Sequence, residues 1–291
     1  DIYYLPVGKF NQIALGSLYL GKNQYLCDVV NLRLLQDPTT LNNKKQLIAD
    51  SQLFGVSNNV GMVSLWGGID YGQTTKSAIG NNRRSAIKRG ENLAQLTFTK
   101  FEVQTISSML KNKSIPNHVY ENVMATESSF KRRSGKGDYI LHISTHGFSL
   151  SYEKAKKKNY IFNLKSADNN QASLLRSGLL LAGANSTLVN TTSNSEDGIL
   201  TALEIANMNL SHLNLVVLSA CDTGLGELTY DGVSGIQKGF KKAGAKSMLI
   251  TLGKVDDKAT QILMTFFYKN LCAGMNKHEA LNNAQNSLRK Y

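Results

Sequence analysis

Apolar residues fall in short runs along this chain, and the spacing within the runs changes about a third of the way through. In the first sixty-odd residues, Ile2 to Val7, Ile13 to Leu18, Tyr25 to Val30 and Asn31 to Leu35 are short apolar or alternating stretches. Glycine, asparagine or charge separates them, which is the pattern of strands. Val60 to Trp66 predicts a further strand closed by Gly67-Gly68. From Asp70 to Glu91 the sequence turns polar, glycine-rich and basic, and a long exposed loop is expected. Helical spacing follows: Val103, Ile106 and Leu110 share one face of a helix expected over 99–110, with a second over 125–133. The stretches from Tyr139 to His146 and from Leu215 to Ala220 are largely apolar runs of strand length, as strands buried on both faces require. Gly178 to Ala182 and Lys246 to Leu252 read the same way. Asn185 to Asp197 is rich in Ser, Thr and Asn and predicts a loop. Thr201-Ala-Leu-Glu204 is a capping box that starts a short helix. Three more helices are expected: one over 233–243; one over 256–271, burying Ala259, Ile262, Leu263 and Phe266; and a last one capped by Asn276 and carrying Leu281, Ala284 and Leu288.

Strands alternating with helices, each strand flat and apolar, predict an α/β fold: a mainly parallel sheet covered by helices on both faces. The expected organisation is one domain, with residues 1–92 a strand-rich N-terminal part and 93–291 the core. The chain has 291 residues, 42% of them hydrophobic and 19% charged, which suits a packed globular protein rather than a disordered one. No apolar run approaches the ~18 residues that cross a bilayer, so no membrane span is expected. The start, Asp1-Ile-Tyr-Tyr-Leu-Pro, is neither an initiator methionine nor a signal peptide, and the chain is expected to be a domain cut from a longer polypeptide.

Three cysteines, Cys27, Cys221 and Cys272, are too few and scattered for a disulfide framework or a zinc site, and no metal or other cofactor is expected. Cys27 and Cys272 read as small buried hydrophobes. This usage suits a reducing compartment, and the expected location is cytoplasmic. The net charge of +12 raises the question of nucleic acid. Its basic clusters, at Arg83-Arg84, Lys88-Arg89, Arg132-Arg133 and Lys156-Lys157-Lys158, lie in expected loops and helix ends with few aromatics between them. Solvated surface charge accounts for them, and nucleic acid is not expected as a partner.

The chemistry concentrates in two places. Tyr139-Ile-Leu-His-Ile-Ser-Thr-His146-Gly147 and Leu215-Val-Val-Leu-Ser-Ala-Cys221-Asp-Thr-Gly224 are each a strand-length apolar run ending in a reactive side chain with glycine close behind. An α/β fold presents a base and a nucleophile in this way, at the carboxyl edge of a parallel sheet. His146 would be the acid/base and Cys221 the nucleophile. The backbone amides of Gly147 and Cys221 would form an oxyanion hole. Either residue alone would read as structural; the matched pair points to a cysteine peptidase. His142, four residues before His146 and of the same strand parity, would sit one layer deeper and reads as a structural histidine.

Leu218-Ser-Ala-Cys-Asp-Thr-Gly224 with Gly226-Glu227 resembles the cysteine motif of CHAT domains, caspase-like domains first described beside tetratricopeptide repeats. His142-Ile-Ser-Thr-His-Gly147 is similar to their histidine motif. Further matches run in order: Arg176 to Asn185, Asp197 to Ile205, Gly232 to Lys246, Val255-Asp-Asp257 and Ala280 to Gln285. The resemblance implies a caspase-like fold and a Cys221–His146 dyad that cleaves a protein substrate through a thioester. It also implies control by a repeat domain or activating partner, and a role in bacterial defence or cell death. The interval from His146 to Cys221 is longer than the roughly 50 residues usual in caspases. Gly253 stands where family members commonly carry tryptophan, and the chain stops at Arg289-Lys-Tyr291 without the apolar, aromatic-rich segment that usually ends such domains.

Asp222, Glu227, Asp231, Gly253 and Asp256 are candidates for lining the substrate groove. Asp231 and Asp256 also stand where helix N-caps are expected. The alternative reading is a catalytically silent caspase-like scaffold that binds a partner protein. Activation by a cut between Lys154 and Asn194 is a further expectation.

Overall fold

The computed structural model describes residues 2–6, 8–35, 53–54, 61–72, 93–150, 173–189, 196–220, 227–229, 232–251 and 255–291. Its centre is a five-stranded, wholly parallel sheet. The strands are β5 (Met62–Ile69), β6 (Asn117–Asn122), β7 (Asp138–Ser144), β11 (Leu215–Ser219) and β14 (Met248–Ile250), in the spatial order β14-β11-β7-β5-β6. Side chains alternate across this sheet as the period of a strand requires. Val63, Leu65, Ile140, Leu215 and Val217 enter one hydrophobic core. Trp66, Leu141, Ile143, Val216 and Leu218 enter the other. Burial on both faces explains why β7 and β11 read as largely apolar runs.

Helices cover the first core: α2 (Thr97–Asn112), α7 (Asp257–Cys272) and α8 (Lys277–Arg289) supply Val103, Ile106, Leu110, Met264, Phe267, Tyr268, Leu271, Ala280 and Ala284. Over the second core lie α3 (Glu127–Lys131), α4 (Ala184–Val189), α5 (Ala202–Ala206) and α6 (Ile236–Ala243). A small antiparallel sheet joins them, ordered β10-β9-β8, from β8 (Gly147–Ser149), β9 (Ser177–Leu180) and β10 (Ile199–Thr201). The expected α/β architecture, a parallel sheet with helices on both faces, is the one observed.

The caps of α5, α7 and α8 are where the sequence puts them, whereas the N-cap of α6 is Gly235 and not the expected Asp231. Thr201 and Glu204 form a reciprocal capping box on α5. Asn276 accepts from the Glu279 amide at the start of α8. Several expectations need correction. The phase of α7 is shifted: its buried side is Asp257, Thr260, Met264, Phe267, Tyr268 and Leu271, with Leu263 and Phe266 only partly covered. The helix touches both α2 and α8, so its apolar arc is wide, and a buried polar contact of Tyr268 decides which line lies deepest. Residues 184–189, mostly assigned to a loop, form α4. The helix expected from Val233 begins at Ile236, after β12 (Glu227–Thr229) and β13 (Gly232–Ser234) pair as a hairpin.

The N-terminal segment is less strand-rich than its pattern. Ile13 to Leu18 holds a 3-10 turn over Leu15–Ser17, and β1 (Ile2–Tyr4) pairs in parallel with β4 (Leu32–Leu34). A hairpin of β2 (Tyr19–Gly21) and β3 (Gln24–Tyr25) leads into α1 (Leu26–Val29). Cys27 sits on α1 and is exposed, not buried, because these elements are too short to build a second layer over it. Cys272, at the end of α7, is half-buried against the core, and burial pushes its thiol above the usual range.

Candidate active site

The order β14-β11-β7-β5-β6 reverses direction between β5 and β7. The chain leaves β5 towards α2 on one face and leaves β7 towards β8, α4 and α5 on the other. A crevice opens at the carboxyl ends of such a pair, where ligands bind in open α/β sheets. Two residues beyond β7 is His146; two beyond β5 is Tyr71.

His146 is buried, with 3% of its surface exposed. Its ring nitrogen Nε2 lies 2.9 Å from the carbonyl oxygen of Ala94. A carbonyl can only accept, so Nε2 carries the proton and, in the neutral ring, Nδ1 carries the lone pair. The Tyr71 ring lies against the imidazole, centroids 5.2 Å apart. A directional relay holds the backbone below. The His146 N–H donates to Tyr71 Oη at 3.4 Å, Tyr71 donates to Thr145 Oγ1 at 2.8 Å, and Thr145 donates to the Leu180 carbonyl. The Leu180 N–H returns the bond to the His146 carbonyl at 2.9 Å. A relay of this kind polarises each successive bond and fixes the peptide at both ends.

Gly147 opens β8 opposite Leu179. Because His146 and Leu180 form the hydrogen-bonded pair beside them, Gly147 and Leu179 form the alternate, non-bonded pair. The Gly147 N–H is therefore directed away from β9. β9 approaches closely enough that only glycine fits at 178: a Cβ there would stand 2.3 Å from the Leu200 oxygen and 2.9 Å from the Phe148 ring.

On the other side of β7, Ser219 of β11 is level with Ser144. Ala220 follows, buried, its carbonyl accepting from the Thr251 hydroxyl beyond β14. Cys221, Asp222, Asp231 and Gly253 lie outside the described residues, as do the Arg83, Lys88 and Lys156 clusters and the Lys154 end of the expected cleavage region. Glu227 enters through its backbone alone, as the first residue of β12. Asp256 caps α7, its Oδ1 accepting from the Ala259 amide at 2.9 Å.

His142 occupies a different environment. It is fully buried between α2 and α7, its Nε2 2.8 Å from Glu102 Oε1 and its Nδ1 3.2 Å from the Tyr268 hydroxyl. Burial and the Glu102 charge hold the Tyr268 phenol well above its ordinary range, so Tyr268 stays a donor. This cluster clamps two helices to the back of β7, the structural part expected of His142. Sequence reasoning missed Tyr71, Thr145 and Ala94, because a tyrosine in a polar loop and a backbone carbonyl carry no periodic signal.

Two comparisons with known proteins bear on this site. The family model described as "CHAT domain" matches residues 4–291. The curated tetratricopeptide repeat protein 28 of Mus musculus is 33% identical over 86 residues, which are 30% of this chain and 4% of that protein. The chain thus spans a small fraction of the length of the curated relative it matches.

Proposed function

The chain belongs to the CHAT-domain family of caspase-like, peptidase-related domains, and from that premise we propose that it is a cysteine endopeptidase working through Cys221 and His146. The observation that carries this reading is the register of β7 against β11. Ser144 and Ser219 are level, and His146 and Cys221 each stand two residues further along. Neighbouring strands lie about 4.8 Å apart, so the chain leaves β7 and β11 from adjacent points at one level, which supports a dyad of these two residues. The Ala94 carbonyl keeps the proton on Nε2 and leaves Nδ1 as the nitrogen for proton exchange.

In this mechanism Cys221 gives its thiol proton to Nδ1 of His146 as its sulfur attacks the scissile carbonyl carbon. The oxyanion that forms takes hydrogen bonds from the amides of Gly147 and Cys221, and the outward direction of the Gly147 N–H supports that role. The C–N bond breaks as the leaving amine takes a proton from His146, and a thioester remains on Sγ. Water then attacks the thioester carbonyl, giving up a proton to His146; the C–S bond breaks, His146 returns that proton to the departing sulfur, and the acid product and the thiol are freed. The substrate is a protein. Regulation by a repeat domain or an activating partner draws support from the similarity to a tetratricopeptide repeat protein. The proposed setting is a bacterial defence or cell-death pathway in the cytoplasm.

Alkylation by iodoacetamide, located by mass spectrometry, tests the dyad in wild type, His146→Ala and Cys221→Ala. Fast labelling at Cys221 that slows when His146 is lost supports it. Labelling of Cys221 no faster than of Cys272, and indifferent to His146, would overturn it in favour of a partner-binding scaffold.

A further inference from the structure

We propose that Asn185 is a positioning residue for His146, a role that rests on the His146 reading above. Asn185 lies on α4 with 1% of its surface exposed. Its carboxamide meets both backbone polar groups of one buried residue: Oδ1 accepts from the Leu93 N–H at 2.7 Å, and Nδ2 reaches the Leu93 carbonyl at 3.4 Å. The same Nδ2 donates to the Gly72 carbonyl at 3.2 Å, and the Asn185 N–H donates to the Tyr71 carbonyl at 2.8 Å. One side chain therefore ties together two segments far apart in sequence. Those segments bracket the imidazole. Leu93 precedes Ala94, whose carbonyl holds Nε2, and Gly72 follows Tyr71, whose ring lies against His146.

The chemistry explains why asparagine stands here. A primary amide offers an acceptor and two donors in one plane, matching an N–H and two carbonyls. Aspartate keeps the acceptor but, when ionised, sets a negative charge against the carbonyls of Gly72 and Leu93. Alanine leaves the buried polar groups of Leu93 unpaired, and such groups draw the segment towards water. Either change shifts Ala94. The ring it orients then turns or exchanges tautomers, and small misplacements of a reacting group cost rate steeply.

The test uses ¹⁵N-histidine spectra, with the His146 signals assigned by His146→Ala, together with Cys221 alkylation in the intact chain. In wild type, His146 shows one tautomer, protonated at Nε2, with a slowly exchanging proton. In Asn185→Ala that proton exchanges fast, the tautomers mix, and alkylation slows by roughly 10- to 100-fold. Asn185→Asp preserves volume if the alanine variant unfolds. Its deficit against wild type should narrow as pH falls, because a protonated carboxyl regains the donor. Asn276→Ala, a helix-cap loss at the start of α8 on the other face of the sheet, controls for general destabilisation and should leave the spectrum unchanged. A wild-type His146 spectrum in a folded Asn185→Ala or Asn185→Asp would overturn the proposal. If instead the spectrum changes with Asn185 while alkylation ignores His146, the positioning role stands and the peptidase reading falls.

Discussion

Two histidines four residues apart, His142 within β7 and His146 two residues beyond it, are told apart by their surroundings. His142 is enclosed by Glu102 and Tyr268 and has no route to a substrate; His146 stands at the sheet edge with its ring pinned by a carbonyl. Replacing His142 by alanine takes one hydrogen-bond donor from the fully buried Glu102 carboxyl group and one acceptor from Tyr268, and each such loss at a buried polar group costs about 1–3 kcal/mol. Urea denaturation should therefore place His142→Ala far below wild type. An unchanged midpoint would mean the cluster is not a clamp. The motif His142-Ile-Ser-Thr-His146 was legible in sequence, and strand parity gave the depth of each histidine. The partners were not legible. Glu102 and Tyr268 lie 40 residues before and 126 after His142, and no local pattern connects them.

Among the elements, the small β8-β9-β10 sheet determines whether His146 is held. β9 carries the Leu180 groups that bond the relay and the His146 carbonyl, and β10 braces β9 from behind. Gly178 lets the two come together. Gly178→Ala would put a methyl group 2.3 Å from the Leu200 oxygen, and backbone cannot yield as a flexible side chain does. Overpacking of this kind costs about 1–3 kcal/mol, and β9 should shift away from His146. A thermal melt and the His146 imidazole spectrum should both change; an unaltered spectrum would show that β9 does not support the ring. The run of apolar residues at 178–182 announced a strand, while the antiparallel pairing with β8 and β10 did not show. β8 and β10 are three residues each, too short for a period to declare itself.

For the molecule as a whole, the covering layer is joined by a charged cluster beneath α3 and α5. Lys131 bonds both Glu127 and Glu204, at 2.8 Å to Glu204, while the Glu127 carboxylate also accepts from the Asp197 amide at 3.2 Å. Burial pushes Glu127 up to about 7 from an ordinary 4.5, with the nearby Glu204 charge adding to it against Lys131. Asp197 is raised by burial in the same direction, whereas the hydrogen bonds from Lys131 and Thr201 outweigh burial and lower Glu204. An acid whose folded value is raised holds its proton more tightly when folded. Its contribution is thus most favourable below 4.5 and is lost as pH rises towards 7. The stability of wild type relative to Glu127→Gln should fall across that window in melts taken from pH 4.5 to 8. A flat or rising difference would count against a raised Glu127. Glu204, lowered instead, acts outside that window: its contribution is present above 4.5 and is lost as pH falls below it.

By itself the sequence determined what local spacing can carry: the buried strands β7 and β11, the face of α2, the caps of α5 and α8, and which histidine and cysteine follow β7 and β11 in the chain. Each is a matter of hydrophobic period or of a side chain bonding its own backbone neighbours. Tertiary structure alone decided the strand order and its reversal between β5 and β7, the phase of α7, and the enclosure of His142. It also decided the hold on His146 by Tyr71, Ala94 and Asn185. These depend on hydrogen bonds and packing between residues far apart in the chain, and many of the groups involved are backbone carbonyls and amides that every residue carries, so nothing in the order of side chains marks them out.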